Sequence, residues 1–405
     1  MKTNYIRMKI GQLGILSRGV TYSPPEDLRS ESDSTSIWLL RSTNLQGGEI
    51  NLDDVTIVAA HCAKPNQRLA NGDIAICTAN GSKALVGKAS LVCLPNPSQY
   101  VVGAFCARMR PNDGESPEFL AALFESGFYK SWIGRLLAGT NINNLKPSDI
   151  ASCSIRMPSS LAQRNRLGEI FSLSRLQIKT LDRLIAAKRE QKRGLMQQLL
   201  TGKLRFPGFT EPWKTVRLEE VVSLRNSKAV ASEAPDLHCI ELEHIEQGTG
   251  ELIGRARAGS TVSLKTEFAP GDVLFGKLRP YLKKFALVDF AGFCSTEIWA
   301  ITANRIAITS AYLRLLVESP AIQRAANATS GTKMPRADWD VVAATAVKLP
   351  PIVEQERITA LTSTIEAELR LLNAQRAAFA AQRRGLMEKL LSGEIDIQNP
   401  KETAA

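Results

Sequence analysis

The sequence predicts an α/β chain in which two mixed α/β domains are each followed by one long helix, and the two helices pair as a coiled coil. Three observations carry this. A block recurs without a gap at an offset of 191 residues: residues 192–206 read KRGLMQQLLTGKLRF and residues 383–397 read RRGLMEKLLSGEIDI. Apolar residues in both copies fall on a seven-residue repeat that no proline interrupts, a narrow coiled-coil stripe rather than a broad core face. Ahead of each copy lie short β-branched runs punctuated by glycine, proline and asparagine, the texture of strands and turns.

The first domain is expected over residues 1–157, with strands near 54–59, 73–77 and 91–94 and a helix at 117–138. The first helical region, 158–206, follows Pro158. Its seam is Leu167, Phe171, Ile178, Leu181, Ile185 and Leu195, and Gly202 stands where a C-terminal cap belongs. The join at 205–213 holds Pro207, Gly208, Pro212 and Trp213 and reads as a stiff turn. The second domain, 207–349, repeats features of the first. Phe268-Ala269-Pro270-Gly271-Asp272 matches Leu69-Ala70-Asn71-Gly72-Asp73, and Gly331-Thr332 matches Gly139-Thr140. Strands are expected at 272–275, 285–288 and 298–301, and a helix at 310–326. The second helical region, 350–397, carries the seam Ile358, Ile365, Leu369, Leu372, Phe379 and Leu386, with Gly393 as its cap.

Charge favours pairing of the two helices with each other. Residues 161–206 hold 11 basic and 3 acidic side chains, whereas residues 352–397 hold 6 and 7. Exposed ion pairs contribute only ~0.2 to 1 kcal/mol each, so they bias partner choice while the apolar seam supplies stability.

Composition excludes several classes. Hydrophobic residues at 44% and charged residues at 22% make an ordinary globular balance, which rules out disorder, collagen and disulfide scaffolds. No apolar run approaches a membrane span and no signal peptide is read, so no membrane partner is expected. Seven scattered cysteines without a Cys-x-x-Cys suit a reducing, cytoplasmic location. Catalytic patterns are missing. Residues 81–89 approximate a phosphate-binding loop, but the glycines are one residue too far apart and Ala89 replaces the hydroxyl that would bind magnesium. Gly248, Gly250 and Gly254 miss the dinucleotide spacing. His61-Cys62 and His238-Cys239 are adjacent pairs, too short to chelate one ion from a strand, so no metal site is expected.

A chain without catalytic motifs, with two similar heads and a net charge of +11, reads as a binder of a two-part ligand such as double-stranded DNA. Recognition there needs cations for phosphates and polar groups for base edges. In the second head, Lys277, Arg279, Tyr281, Lys283 and Lys284 follow an expected strand, and the Gly-Thr loop adds Lys333 and Arg336. In the first head, Lys83, Asn141, Asn143, Asn144 and Lys146 lie on two Gly/Asn-rich loops. The heads themselves are nearly neutral: residues 1–160 hold 16 basic and 13 acidic side chains, and residues 207–351 hold 17 and 16. Their charge alone does not identify DNA.

The repeat, the Pro-Gly-Phe-x-x-x-Trp join, residues 275–284 and the Gly-Thr loops together resemble the specificity subunit of type I restriction-modification systems. Pro350-Pro351-Ile352-Val353-Glu354-Gln355 matches that family's usual lead into the second helix; Gln163 and Arg164 stand in the first copy where Glu and Gln are usual. The resemblance implies two target-recognition domains, each reading one half of a bipartite asymmetric DNA target. The helices would form an antiparallel coiled coil that spaces the domains and docks the methyltransferase subunits. It implies a non-catalytic subunit for phage defence, with two modification subunits that bind S-adenosylmethionine and two ATP- and Mg-dependent restriction subunits, and no cofactor on this chain. Two alternatives stand beside it: a DNA-recognition subunit of a related methylation-only assembly, and a coiled-coil protein scaffold.

Overall fold

Each long helix begins just past a proline and stops at a glycine. The computed structural model describes residues 4–138, 144–260, 263–328 and 334–395. The first long helix is Leu161–Leu200 and the second is Ile352–Ser392. Gly202 and Gly393 take the left-handed backbone (φ +70° and +78°) that ends each helix at little steric cost. The chain divides into two compact units, Met1–Asp182 with Ala374–Ala405, and Arg183–Asn373. The division runs through both helices. Each unit therefore holds one head and a half of each helix, where the sequence reading has four consecutive segments.

Within the first unit the two helix halves run antiparallel. Asp182 pairs with Arg376 at 2.9 Å, while Leu167 and Phe171 share a core with Met387, Leu390 and Leu391. The second unit repeats this. Lys188 pairs with Glu368 at 2.9 Å, and Met196, Leu199 and Leu200 share a core with Ile358. Of the seam residues, Leu167, Phe171, Ile185 and Ile358 are buried. Ile178, Leu181, Leu195, Ile365, Leu369, Leu372, Phe379 and Leu386 are half-buried.

The heads share one plan. In the first, a four-stranded antiparallel sheet runs Gly14–Arg18, Cys106–Pro111, Ile74–Cys77, Ala89–Leu91. In the second, the order is Val222–Leu224, Ile298–Ala303, Val273–Gly276, Phe285–Leu287. A further sheet in each contains one parallel pair: Ser36–Leu40 with Tyr100–Val102, and His238–Ile240 with Gly292–Cys294. The strand that opens each head, Tyr5–Lys9 or Lys214–Arg217, pairs with the strand just before a long helix, Ser154–Pro158 or Ala346–Leu349. Each opening aromatic also lies on a helix cap. Tyr5 packs on Gly393, and Trp213 on Gly202. Tyr5 donates its hydroxyl to the Leu390 carbonyl at 2.5 Å.

Two expected helices are broken. The first is split into Pro117–Glu125 and Gly127–Ala138, the second into Ser310–Glu318 and Pro320–Ala326. A serine stands at each break. Ser126 Oγ accepts the Tyr129 N–H, and Ser319 Oγ accepts the Ile322 N–H, so each serine starts a new helix. The strand expected at 91–94 lies earlier, at Ala89–Leu91.

A charged clamp fastens the helices to each head. Glu125 accepts Arg175 at 2.6 Å and Arg383 at 2.5 Å. In the second unit Lys192, which the 191-residue offset relates to Arg383, reaches Glu318 at 2.9 Å and Glu366 at 2.9 Å, and Arg314 completes the set on Glu366 at 2.7 Å. Burial pushes Glu366 upward, but Arg314 and Lys192 outweigh it and hold the carboxyl below the usual glutamate range. The leads into the helices also correspond. Gln355 donates to the Pro350 and Ala307 carbonyls and accepts the Thr309 N–H. Arg164, its counterpart, donates to the Pro158 and Ser159 carbonyls and pairs with Glu115. Arg164 therefore does in the first copy what glutamine does in the second.

Candidate nucleic-acid interface

In each head one inner strand of the four-stranded sheet, Ile74–Cys77 or Val273–Gly276, runs out into a loop that is zipped to a second loop. In the second unit Lys277 donates its backbone N–H to the Glu297 carbonyl (2.9 Å) and accepts the Ala337 N–H (2.8 Å), while Leu278 is bridged to Arg336. In the first unit Thr78 donates to the Phe105 carbonyl (2.8 Å) and accepts the Leu145 N–H (2.8 Å), while Ala79 is bridged to Asn144. Arg336 and Asn144 thus occupy one structural position, and Glu297 and Phe105 another. Residues far apart in sequence become one small surface in each head.

The second surface is strained. Arg279 (φ +51°) and Lys283 (φ +48°) are the only described non-glycine residues in the left-handed region. They flank a single turn, Pro280–Leu282, that buries Pro280 and leaves Tyr281 53% exposed. Left-handed backbone costs an L-residue roughly 1–2 kcal/mol, so the loop is held by its surroundings. The Gly248 N–H bonds the Lys283 carbonyl (3.0 Å), and the Arg279 N–H bonds Pro335 (2.8 Å). Arg279, Tyr281 and Lys283 are thereby displayed together, with Lys277 half-buried beside them.

Lys284 departs from the expectation of a DNA-facing charge. Its ammonium donates to the Leu242 (2.7 Å) and Ile245 (3.0 Å) carbonyls, so it staples a neighbouring loop. Arg336 pairs with Glu297 (3.0 Å), which raises its already high pKa. In the first unit Lys83, Asn144 and Lys146 are exposed, with the Lys83 ammonium 3.5 Å from the Leu137 carbonyl. The Lys146 N–H donates to Asp149 Oδ2 (2.8 Å) at the start of the helix Pro147–Ser152. Asn141, Asn143 and Lys333 lie outside the described residues.

The sequence reading misses Phe105. Its ring is 69% exposed on the turn that anchors Thr78, in a position where burial would be the default for phenylalanine. It also misses the supports beneath the loops. Asp73 accepts the Ala70 N–H (2.7 Å) and is gripped by Arg110 through Nε (2.8 Å) and Nη2 (2.7 Å). Asp272 accepts the Ala269 N–H (2.8 Å) and the Thr302 hydroxyl (2.8 Å) and pairs with Arg225. Elsewhere in the first unit, Asp27 lies beside His61-Cys62, so that pair is joined by a third donor. The thiols of Cys106, Cys153 and Cys294 are pushed up to about 12, chiefly by burial, and stay protonated near neutrality.

Known proteins share this plan. The chain is 36% identical over 149 residues to the type I restriction enzyme StySPI specificity subunit of Salmonella potsdam, covering 37% of this chain and 32% of that protein. That match spans about a third of its relative. Against the type I restriction enzyme EcoKI specificity subunit of Escherichia coli strain K12 the chain is 25% identical over 436 aligned residues, covering 94% of this chain and 90% of that one. The solved S subunit of a type I restriction-modification system from M. genitalium shares the fold, with a TM-score of 0.56 at 14% identity over 98% of this chain and 97% of that one. No family model matches the chain.

Proposed function

We infer that the chain belongs to the specificity subunits of type I restriction-modification systems and is the part of such a complex that recognises DNA sequence. The observation that carries this reading is the likeness to the EcoKI specificity subunit, which extends over nearly the whole of both chains. The twice-built loop surface supports it, because a bipartite target calls for two readers of one design. Each unit reads one half of the target. Lys277 and Lys283 contact phosphate and set register, while Arg279 in one unit and Asn144 in the other suit guanine and adenine edges. The paired helices carry the readers and offer the docking surface for two modification subunits, with two restriction subunits completing the assembly. S-adenosylmethionine, ATP and Mg belong to those partners, and this chain contributes recognition without catalysis.

Methylome sequencing of a host expressing this chain with its modification subunit tests the reading. The expected result is methylation confined to one asymmetric motif of two short half-sites separated by an unspecified gap. Methylation unchanged by adding this chain would overturn it.

A further inference from the structure

Three different donors converge on one point of the first unit. His61 Nε2 lies 3.0 Å from Asp27 Oδ1 and 4.0 Å from Cys62 Sγ, and the three ligand atoms all lie within 4.8 Å of one another. Around a tetrahedral ion with bonds of about 2.0–2.3 Å, donor atoms stand roughly 3.3–3.6 Å apart. The spacing therefore needs only small side-chain adjustments to close on an ion.

The arrangement does not suit a nucleophile-base relay. Such a relay puts the thiol on one imidazole nitrogen and the carboxylate on the other. Here both face Nε2. With carboxylate and thiol gathered at the same ring nitrogen, an ion that replaces the Nε2 proton would sit between all three donor atoms.

The site is held from behind. The Ser23 N–H donates to the other Asp27 oxygen, Oδ2, at 2.7 Å, so Oδ1 is left to face the imidazole. Backbone bonds fix Asp27 on both sides: its N–H donates to Ser23 and its carbonyl accepts the Ala59 N–H at 2.8 Å. Leu28 is bridged to Val58, which sets the register between the two segments. Hydrogen bonds that orient a ligating carboxylate in this way are the usual second layer of a metal site. His61 and Cys62 share the single turn Ala60–Cys62, and the His61 side chain is 72% exposed, so ions reach the site freely.

We propose that Asp27, His61 and Cys62 form a binding site for a divalent transition metal, Zn²⁺ by ligand type, with the fourth position open to water. A thiolate and an imidazole with one carboxylate suit a borderline-soft ion and disfavour Mg²⁺. On binding, the Cys62 thiol proton leaves to solvent and the sulfur coordinates as thiolate. The ion would tie residues 23–29 to the turn at 60–62.

The test uses the full chain, stripped with chelator, reduced, and titrated with Co²⁺ alone. One equivalent should produce a near-ultraviolet thiolate-to-cobalt band with tetrahedral visible bands, and Zn²⁺ should abolish both. Cys62→Ser should remove the charge-transfer band. Asp27→Asn and His61→Ala should each weaken binding at least tenfold, with circular dichroism unchanged. The proposal fails if no thiolate band appears, if the band persists in Cys62→Ser because the exposed Cys93 supplies it, or if Mg²⁺ competes as well as Zn²⁺.

Discussion

Lys283 and Lys284 are neighbours with different fates, and the difference can be measured. Lys283 is exposed, whereas the Lys284 ammonium is held by two carbonyls. Lys277→Ala, Arg279→Ala and Lys283→Ala should leave melting nearly unchanged. Each lost phosphate contact should shrink the salt dependence of DNA binding by about one unit, and a lost base contact should instead cost ~1 to 3 kcal/mol at one target position. Lys284→Ala should do the reverse. It strands two carbonyls, lowers stability by about 1–3 kcal/mol and leaves the salt slope intact. Thermal melts paired with salt titrations of the assembled complex separate the two outcomes; equal salt slopes for Lys283→Ala and wild type would contradict the assignment. Phe105 makes a second case. Removing so exposed a ring costs little fold stability, so Phe105→Ala should report on the ligand. We expect affinity to fall about tenfold, from loss of an apolar contact such as that to a thymine methyl, with no change in salt slope. Unchanged affinity would remove Phe105 from the interface.

Elements are held by charges whose worth depends on pH. Glu366 has its pKa lowered in the folded chain, so its contribution is present above the ordinary glutamate value of 4.5 and disappears as pH falls through the lower folded value. Glu366→Gln should therefore cost about 3 kcal/mol near pH 7, because Lys192 and Arg314 lose a shared, largely buried carboxylate. It should also flatten the loss of stability between pH 5 and pH 3. Denaturant melts at several pH values check both, and a variant that keeps the wild-type acid profile would place the acid sensitivity elsewhere. At this scale the sequence is partly legible for identifiable reasons. The long helices stand out because a heptad stripe without proline leaves few other solutions. Gly14–Arg18 does not stand out, since a strand reading Gly-Ile-Leu-Ser-Arg has no clean alternation and is fixed by its partner Cys106–Pro111. The serine breaks at Ser126 and Ser319 are visible as residues, but only packing decides that they end one helix and begin another. The bridges from Ala79 to Asn144 and from Leu278 to Arg336 are long-range facts that no local pattern carries.

For the whole molecule, the repeat has a functional corollary. Each unit contains its own core and its own loop pair, so the two halves of a target should be read independently. Replacing residues 1–158 with the matching part of a type I specificity subunit should change one half-site in the methylome and leave the other untouched. If both half-sites change together, recognition is shared between the units and the two-reader account is wrong. Sequence alone brings this architecture into view, because a repeat at an offset of 191 residues is a property of order and needs no coordinates. The chemical detail of each reader is less accessible. The lysines and arginines are plentiful in both heads, and only the folded loops separate those that face outward from those, such as Lys284, that are used internally.

The paired aspartates also show one buried anion answered in two ways. Asp73 and Asp272 hold the same turn, yet the arginine on each comes from a different strand: Arg110 from Cys106–Pro111, and Arg225 from just past Val222–Leu224. Strand register makes Thr302 the counterpart of Arg110 and Ser17 the counterpart of Arg225. A carboxylate common to both copies thus takes its cation from either of two strands. Two answers at matching positions predict transferability. Arg110→Thr should lower the Tm of the chain by several degrees by leaving Asp73 buried without its cation. Adding Ser17→Arg should recover much of the loss, because it supplies the sister copy's answer on a backbone that already accommodates it. A double variant that melts no higher than Arg110→Thr would mean that the two arrangements are not interchangeable at this turn.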